Sequence, residues 1–323
     1  GRVNHDDAVF AWTQGSRAHC IAWTPQDHAA VENSATIQSL RARQREVTAL
    51  ALRQVPCVVL VTGASSGFGR TIANALRQRG HRVYGTSRNP TAAAPDSPTL
   101  IAMDVDDDAS VAAGVAHVLA DAGRIDAVVN NAGLGYAGAL EDTSVDEARR
   151  QFETNLFGVH RVCRAVLPHL RERRTGHIVN MSSLGGLVTV PFQGMYCASK
   201  YALEAYTQAL RMEVRPFGIQ VAMIEPGDFA TGFTAHRRMT AASAPGSPYA
   251  ERCRSAVAKM AEDEGVTTDV RPVVRAAIDS IESDRPPLRY PVASRLQLAL
   301  VGLRHVLPQR LYEKLVMDHY GVG

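Results

Sequence analysis

The sequence is short of the features that define several protein classes. Its five cysteines, Cys20, Cys57, Cys163, Cys197 and Cys253, are odd in number and never fall in a C-x-x-C pair. That argues against a disulfide framework and against a zinc site, and it fits a reducing compartment such as the cytoplasm. No window approaches the about 18 continuous apolar residues of a transmembrane helix. Gln14, Ser16, Arg17 and His19 interrupt the span from Ala8 to Trp23, so no secretory signal is expected there. The chain opens on Gly1, and its natural start is expected to be upstream or processed. Charge of one sign is also lacking: 35 basic against 32 acidic residues leave a net +3, and no basic run suits a nucleic-acid backbone. Nucleic acid is therefore not an expected partner.

What is present is an ordinary globular composition, 46% hydrophobic and 21% charged, over 323 residues. Residues 1–55 hold both tryptophans, Trp12 and Trp23, and a polar, Arg-rich stretch from Val31 to Gln54 that reads as one helix. No motif lies in this extension, which either packs and assembles or is a partly ordered tail. From Pro56 onward, β-branched runs alternate with helical spacings. Candidate strands are Cys57–Val61, Arg82–Thr86, Leu100–Met103, Ile125–Val129, His177–Met181 and Gln220–Ile224, with a last one at Leu288–Val292. Strands joined by helical crossovers imply an α/β fold, a doubly wound parallel sheet with helices on both faces in one domain, 56–323. Asp146 to Leu170 reads as one long helix, Tyr196 to Val214 as another, and Asp228 to Pro248 as a mobile lid or surface segment. The apolar piece Leu296–Leu303 reads as a core-packing helix or, alternatively, as one lying on a membrane surface.

Such a sheet binds ligands at the carboxyl ends of its strands, which is where the chemistry-bearing residues fall. Thr62-Gly63-Ala64-Ser65-Ser66-Gly67-Phe68-Gly69 follows the first strand and opens a helix. Glycines at this spacing let a backbone approach a pyrophosphate at the helix N-terminus. The second strand ends in Ser87-Arg88, with no Asp or Glu to accept the ribose hydroxyls of NAD. An arginine here complements a 2′-phosphate, so NADP(H) is the expected cofactor; the plainer reading of Arg88 is a solvated loop cation. Further on, Tyr196 and Lys200 share a helix face at i,i+4, and Ser183 precedes them after a strand. A phenol, an ammonium and a hydroxyl meeting at one oxygen are what acid/base catalysis of carbonyl reduction requires. One positive charge about 4 Å from the phenol, at an effective dielectric of about 20, is worth ~4 kcal/mol, or ~3 pK units.

Together the motifs resemble the short-chain dehydrogenase/reductase family, in its order and spacing, from about residue 56 onward: the glycine loop, Asp104-Val105, Asn130-Asn131-Ala132-Gly133, Asn155, Ser183, Tyr196-x-x-x-Lys200 and Pro226-Gly227 with Thr231. The resemblance implies that Tyr196 exchanges the proton, Lys200 supports it, Ser183 orients the substrate oxygen and Asn155 holds a water in a relay. It also implies that Gly63, Ser65, Ser66, Gly67, Phe68 and Gly69 cradle the cofactor phosphates and that Asp104 and Val105 hold the adenine. Asn131, Ala132 and Gly133 would line the cofactor edge, while Pro226, Gly227 and Thr231 would shape the nicotinamide pocket. Glu225 to Thr231 further resembles the branch with hydroxysteroid and retinol dehydrogenases. Homodimers or homotetramers through the two long helices are implied as well.

The segments expected at the substrate carry Leu134, Tyr136, Leu184, Leu187, Val188, Val190, Phe192, Met195, Phe229, Phe233 and Met239, which suits an apolar or aromatic carbonyl or alcohol. Leu184, Phe192 and Phe229, with Ser183 and Tyr196, are the expected substrate contacts. No metal is expected: the acidic run Asp104 to Asp108 reads as an adenine contact followed by helix-capping acids. Cys197, His160 and His177 read as packing or surface residues. A different class remains open, a nucleotide-binding regulator or scaffold without turnover, which would need neither Ser183, Tyr196 nor Lys200.

Overall fold

A computed structural model describes residues 11–13, 18–20, 56–90, 99–231 and 237–323. The chain divides into two units, Gly1–Val55 and Pro56–Gly323. In the first, β1 (Ala11–Thr13) and β2 (Ala18–Cys20) pair antiparallel, with Ala11 opposite Cys20. The expected helix at 31–54 lies outside the described residues, as does Phe233.

The second unit is built on seven parallel strands: β3 (Val58–Val61), β4 (Arg82–Ser87), β5 (Thr99–Ala102), β6 (Ala127–Asn130), β8 (Gly176–Met181), β9 (Ile219–Pro226) and β11 (Arg289–Val292). Their order is β11-β9-β8-β6-β3-β4-β5, a doubly wound sheet whose direction of winding reverses between β3 and β6. The continuous apolar runs follow from burial of both sheet faces. Val58 and Leu60 point into one core, Val59 and Val61 into the other, as the two-residue period of a strand requires. On the first face pack α2 (Asp108–Ala122), α4 (Gly158–Arg173) and α5 (Gly194–Val214); on the second, α1 (Gly67–Gln78) and α7 (Arg271–Glu282).

Three differences from the sequence reading bear on the site. The long helix over 146–170 begins at α3 (Val145–Phe152), runs through a π turn at Glu153–Phe157 and continues as α4 past Pro168 to Arg173. Apolar spacing cannot reveal a widened turn, because Val159, Val162, Val166 and Leu170 stay in register after it, all buried. The described part of the 228–248 segment is tethered. Strand β10 (Arg238–Met239) pairs with β7 (Tyr136–Ala137), the Ala241 amide donates to Glu147 at 2.8 Å, and Ser243 and Ser247 both donate to Asp142. Finally, α8 (Arg295–Leu303) buries none of its residues and leaves Leu296 70% exposed, so it is not the core-packing helix its composition suggested.

Two helices remain, α6 (Ala250–Val266) and α9 (Gln309–His319). Because Ile178 is fully buried at the centre of the sheet, Ile178→Ala is expected to cost about 2–5 kcal/mol of stability, read from the midpoint of a denaturant titration.

Candidate active site

The carboxyl ends of the strands open into a cavity of about 750 Å³, large enough for a cofactor and a small substrate. Its floor at one end is the glycine loop. Gly63 adopts φ +64° and packs so closely that a Cβ would stand 2.9 Å from the Ala132 Cα. Gly67, at φ +54°, would meet nothing within 4 Å. Gly69 is the tightest, since its Cβ would stand 2.4 Å from both the Asn131 amide and the Gly63 carbonyl oxygen. The loop thus presents open backbone at the start of α1, where Ser66 caps without a side-chain bond. Helix N-terminal N–H groups so placed suit an anionic ligand, and the residues present fit the diphosphate of a dinucleotide. Thr62 joins this loop to the next strand end by accepting from the Asn131 and Ala132 amides, each at 3.0 Å.

At the other end, Ser183 leaves β8 and hydrogen-bonds the Tyr196 phenol, while also accepting from the Gly185 amide at 3.0 Å. Lys200 lies one turn along α5, with Nζ 5.8 Å from the Tyr196 ring centroid and donating to the Met181 carbonyl at 2.8 Å. Both side chains are deeply buried. Burial pushes the phenol far above its usual value, against the pull of the Ser183 bond and the Arg237 charge. The Lys200 ammonium is pushed down to about 8 by burial, and Glu204 acts in the opposite direction. Desolvation outweighs the Lys200 charge and holds Tyr196 protonated; the sequence expectation of a phenol near neutrality counts an oxidised nicotinamide together with Lys200, and that further charge lies outside this balance.

Comparison with known proteins identifies this arrangement. Residues 57–242 match the family described as short chain dehydrogenase. The 3-ketodihydrosphingosine reductase of Bacteroides thetaiotaomicron is 38% identical over 267 residues, which cover 83% of this chain and 99% of that protein. This chain belongs to the short-chain dehydrogenase family. Among solved structures, a short-chain dehydrogenase/reductase from Burkholderia phymatum in complex with NAD is 26% identical, with a TM-score of 0.67 over 78% of this chain and 93% of that one. A short chain dehydrogenase from Burkholderia cenocepacia in complex with NADP is 25% identical, with a TM-score of 0.63 over 80% and 97%. Solved relatives at this similarity thus bind NAD or NADP.

Within this short-chain dehydrogenase, the cavity is lined by Gly63, Ser65, Ser66, Gly67 and Phe68, then by Ser87, Arg88, Asp104 and Val105. Asn131, Ala132 and Gly133 follow, and Ser183, Tyr196, Lys200, Pro226, Gly227, Phe229 and Thr231 close the far end. Gly69 stands behind the loop rather than on the surface of the cavity. Asn155 is also behind it: from the π turn its amide donates to the Leu134 carbonyl at 3.0 Å and to Ser199 Oγ at 3.1 Å. Ser199 in turn donates to the Tyr196 carbonyl at 2.7 Å, so Asn155 braces the helix that carries the tyrosine.

Two expected substrate contacts do not reach the cavity. Leu184 is buried in the short helical turn Leu184–Gly186. Phe192, held at φ +60°, packs against the cluster of Ala256, Met260 and Val322 while its carbonyl accepts from the Gly138 amide. Phe229 does line the cavity and meets Phe68 edge to face, with centroids 5.6 Å apart. Cys197 is buried and its thiol is pushed up to about 11 by desolvation, in keeping with a packing role. Asp107 caps α2 by accepting from the Ser110 amide at 2.6 Å.

The sequence reading missed a polar wall made of Gln193, Asp228, Arg238 and Glu264. Burial, then the charges of Glu264 and Asp263, push the Asp228 carboxyl up to about 6. These residues come from four separate elements, and no local pattern signals their convergence. Because a side chain at Gly69 must displace the Gly63 carbonyl and the Asn131 side chain, Gly69→Ala is expected to weaken binding of a reduced nicotinamide dinucleotide at least ~10-fold, about 1.4 kcal/mol, measured by nucleotide fluorescence with the thermal midpoint as a control.

Proposed function

We propose that this short-chain dehydrogenase is an NADP(H)-dependent oxidoreductase interconverting a ketone or aldehyde and its alcohol. The observation that carries the reading is the convergence of Ser183, Tyr196 and Lys200 on one end of the cavity, with the last two buried one helical turn apart. When bound, the nicotinamide cofactor supplies or accepts the hydride. The chain's own residues supply the rest. Ser183 donates to the substrate oxygen and orients it, and the protonated Tyr196 gives its proton to that oxygen as negative charge develops there. Lys200 stabilises the phenolate left behind, since a positive charge on the same buried face favours the ionised form. Asn155 keeps the tyrosine's helix in place through Ser199. A scaffold without turnover would gain nothing from burying a lysine beside a tyrosine, given the desolvation that this imposes.

Arg88 supports the choice of NADP(H). It lines the cavity at the end of β4, beside Ser87, where a 2′-phosphate would be met by a guanidinium. Asp104 and Val105 flank the adenine end, and Pro226, Gly227 and Thr231 the nicotinamide end.

The polar wall narrows the substrate. Asp228 accepts from Gln297 and Glu264 pairs with Arg237, so it is Gln193 and Arg238 that a purely apolar ketone would leave facing hydrocarbon, which is unfavourable. A carbonyl compound with a polar or cationic group near the carbonyl and an apolar remainder suits the cavity better. 3-Ketodihydrosphingosine, named for the Bacteroides relative, has that form and leads the panel to be tried. The protein is proposed to act as a homodimer or homotetramer through α4 and α5.

NADPH oxidation is the assay. Tyr196→Phe is expected to lower kcat by at least ~10²-fold while NADPH still binds, in line with the worth of one general acid. Turnover that survives the loss of the phenol would falsify the mechanism. Arg88→Ala is expected to weaken NADPH roughly tenfold, about 1.4 kcal/mol, and to leave NADH within about twofold, measured as Kd for each nucleotide. Equal losses for both would assign Arg88 to another role.

A further inference from the structure

A buried charge cluster lies directly behind the Tyr196–Lys200 pair, and neither the glycine loop nor the proton-transfer set accounts for it. Glu204 sits one turn beyond Lys200 on α5 and is only 4% exposed. It accepts from the Ser182 hydroxyl, and Arg289 of β11 bridges it to Glu225 of β9. Two carboxylates thus share one guanidinium, and Glu225 Oε2 has no hydrogen-bond partner. The packing is tight, because a Cβ on Gly186 would stand 3.0 Å from both Glu204 Cγ and Ser182 Oγ. Apolar side chains of similar volume would fill the same space at lower electrostatic cost, so packing alone does not explain these groups.

The link from the cluster to the site is one residue long. Ser182 lies between Met181, whose carbonyl receives the Lys200 ammonium, and Ser183, which hydrogen-bonds Tyr196. We propose that Glu204, fixed by Arg289, is a positioning residue of this active site: through Ser182 it anchors the strand end that carries Met181 and Ser183, and its charge keeps Lys200 an ammonium. The proposal rests on the carbonyl chemistry assigned above.

The groups around Lys200 fix the sign of the effect. Tyr196 and Glu204 face it from α5, and the Met181 carbonyl and Ser182 hydroxyl from β8. Asn155, in the π turn, is turned to Leu134 and Ser199 instead. Glu225 and Arg289 lie behind Glu204 on β9 and β11. Burial pushes Lys200 down to about 8, and Glu204 is the charge that opposes the fall. Burial and the Glu204 charge push the Glu225 carboxyl up, while Arg289 bridges it to Glu204. Neutralising Glu204 lowers Lys200 further. The ammonium is then lost at a lower pH, and the alkaline limb of activity moves down.

Glu204→Gln keeps the size of the side chain and an acceptor for Ser182. Lys200 lines the same cavity as the glycine loop and, by family resemblance, contacts the cofactor as well, so in this variant the alkaline limbs of kcat for carbonyl reduction and of NADPH affinity are both expected to move down by ~0.5–1 pH unit. At pH 8 kcat is expected to fall ~3–10-fold while KM for the carbonyl compound stays within about twofold. Glu204→Asp, which keeps the charge but shortens the reach, should return the limb to its native position while kcat remains reduced. If Glu204→Gln does not fold, the kcat loss with a native limb in Glu204→Asp still decides the matter. A limb that stays in place in Glu204→Gln, with only the thermal midpoint lowered, overturns the proposal and leaves Glu204 a structural group. NADPH affinity is read without turnover, so an active enzyme with an unmoved affinity limb overturns the role of Glu204 alone. Turnover surviving in Tyr196→Phe overturns the carbonyl mechanism instead.

Discussion

The clasp between Thr62 and Asn131 is the interaction on which the rest of the site depends. In a doubly wound sheet the first crossovers leave on opposite sides, so a crevice opens where β3 and β6 diverge. The Thr62 hydroxyl accepts from the Asn131 and Ala132 amides, and the Asn131 side chain donates to the Thr62 and Gly63 carbonyls at 2.9 and 3.1 Å. These bonds hold the glycine loop against the β6 end while keeping it open toward the cavity. Gly69 has no side chain because Asn131 occupies that space. The close approach of two backbones therefore comes first, and the anion-binding face of α1 is its consequence.

The proton-transfer end is governed by the opposite influence, desolvation. A tyrosine and a lysine buried on one helix face each resist ionisation, so the phenol is held protonated and the ammonium is weakened. A protonated phenol is what the proposed proton donor requires. Lys200 is held by the Met181 carbonyl, Tyr196 by Ser183, and the backbone between them by Ser199 and Asn155. Asn155 reaches this bracing position from a π turn, whose extra residue shifts the side chain round the helix axis.

The sheet and the helix face shared by Tyr196 and Lys200 were legible because short-range pattern carries both. Runs such as Val58–Val61 can only be doubly buried strands, and the spacing of Tyr196 and Lys200 fixes a shared helix face whatever surrounds it. The π turn was not legible, because the apolar period on either side of it is the same. Leu184 and Phe192 were assigned to the substrate on hydrophobicity alone, yet one completes a turn and the other fills the cluster beneath α6. Hydrophobic residues near a strand end are as ready to pack as to line a cavity.

The polar groups proposed to select the substrate come from farther apart in the sequence than Ser183, Tyr196 and Lys200 do. Gln193 precedes α5, Asp228 follows β9, Arg238 belongs to β10 and Glu264 to α6. They meet only because the segment after β9 is fastened down: β10 joins β7, Glu147 takes the Ala241 amide, and Arg237 pairs with Glu264. Glu147 is itself committed to the capping box of α3, with Ser144. One carboxylate thus caps the helix that leads to Asn155 and holds the loop that brings Arg238 to the cavity. Glu147 therefore ties the segment that carries Arg238 to the helix leading to Asn155, and the Gln193 carbonyl accepts from the Cys197 amide at 2.9 Å, inside the Tyr196–Lys200 stretch.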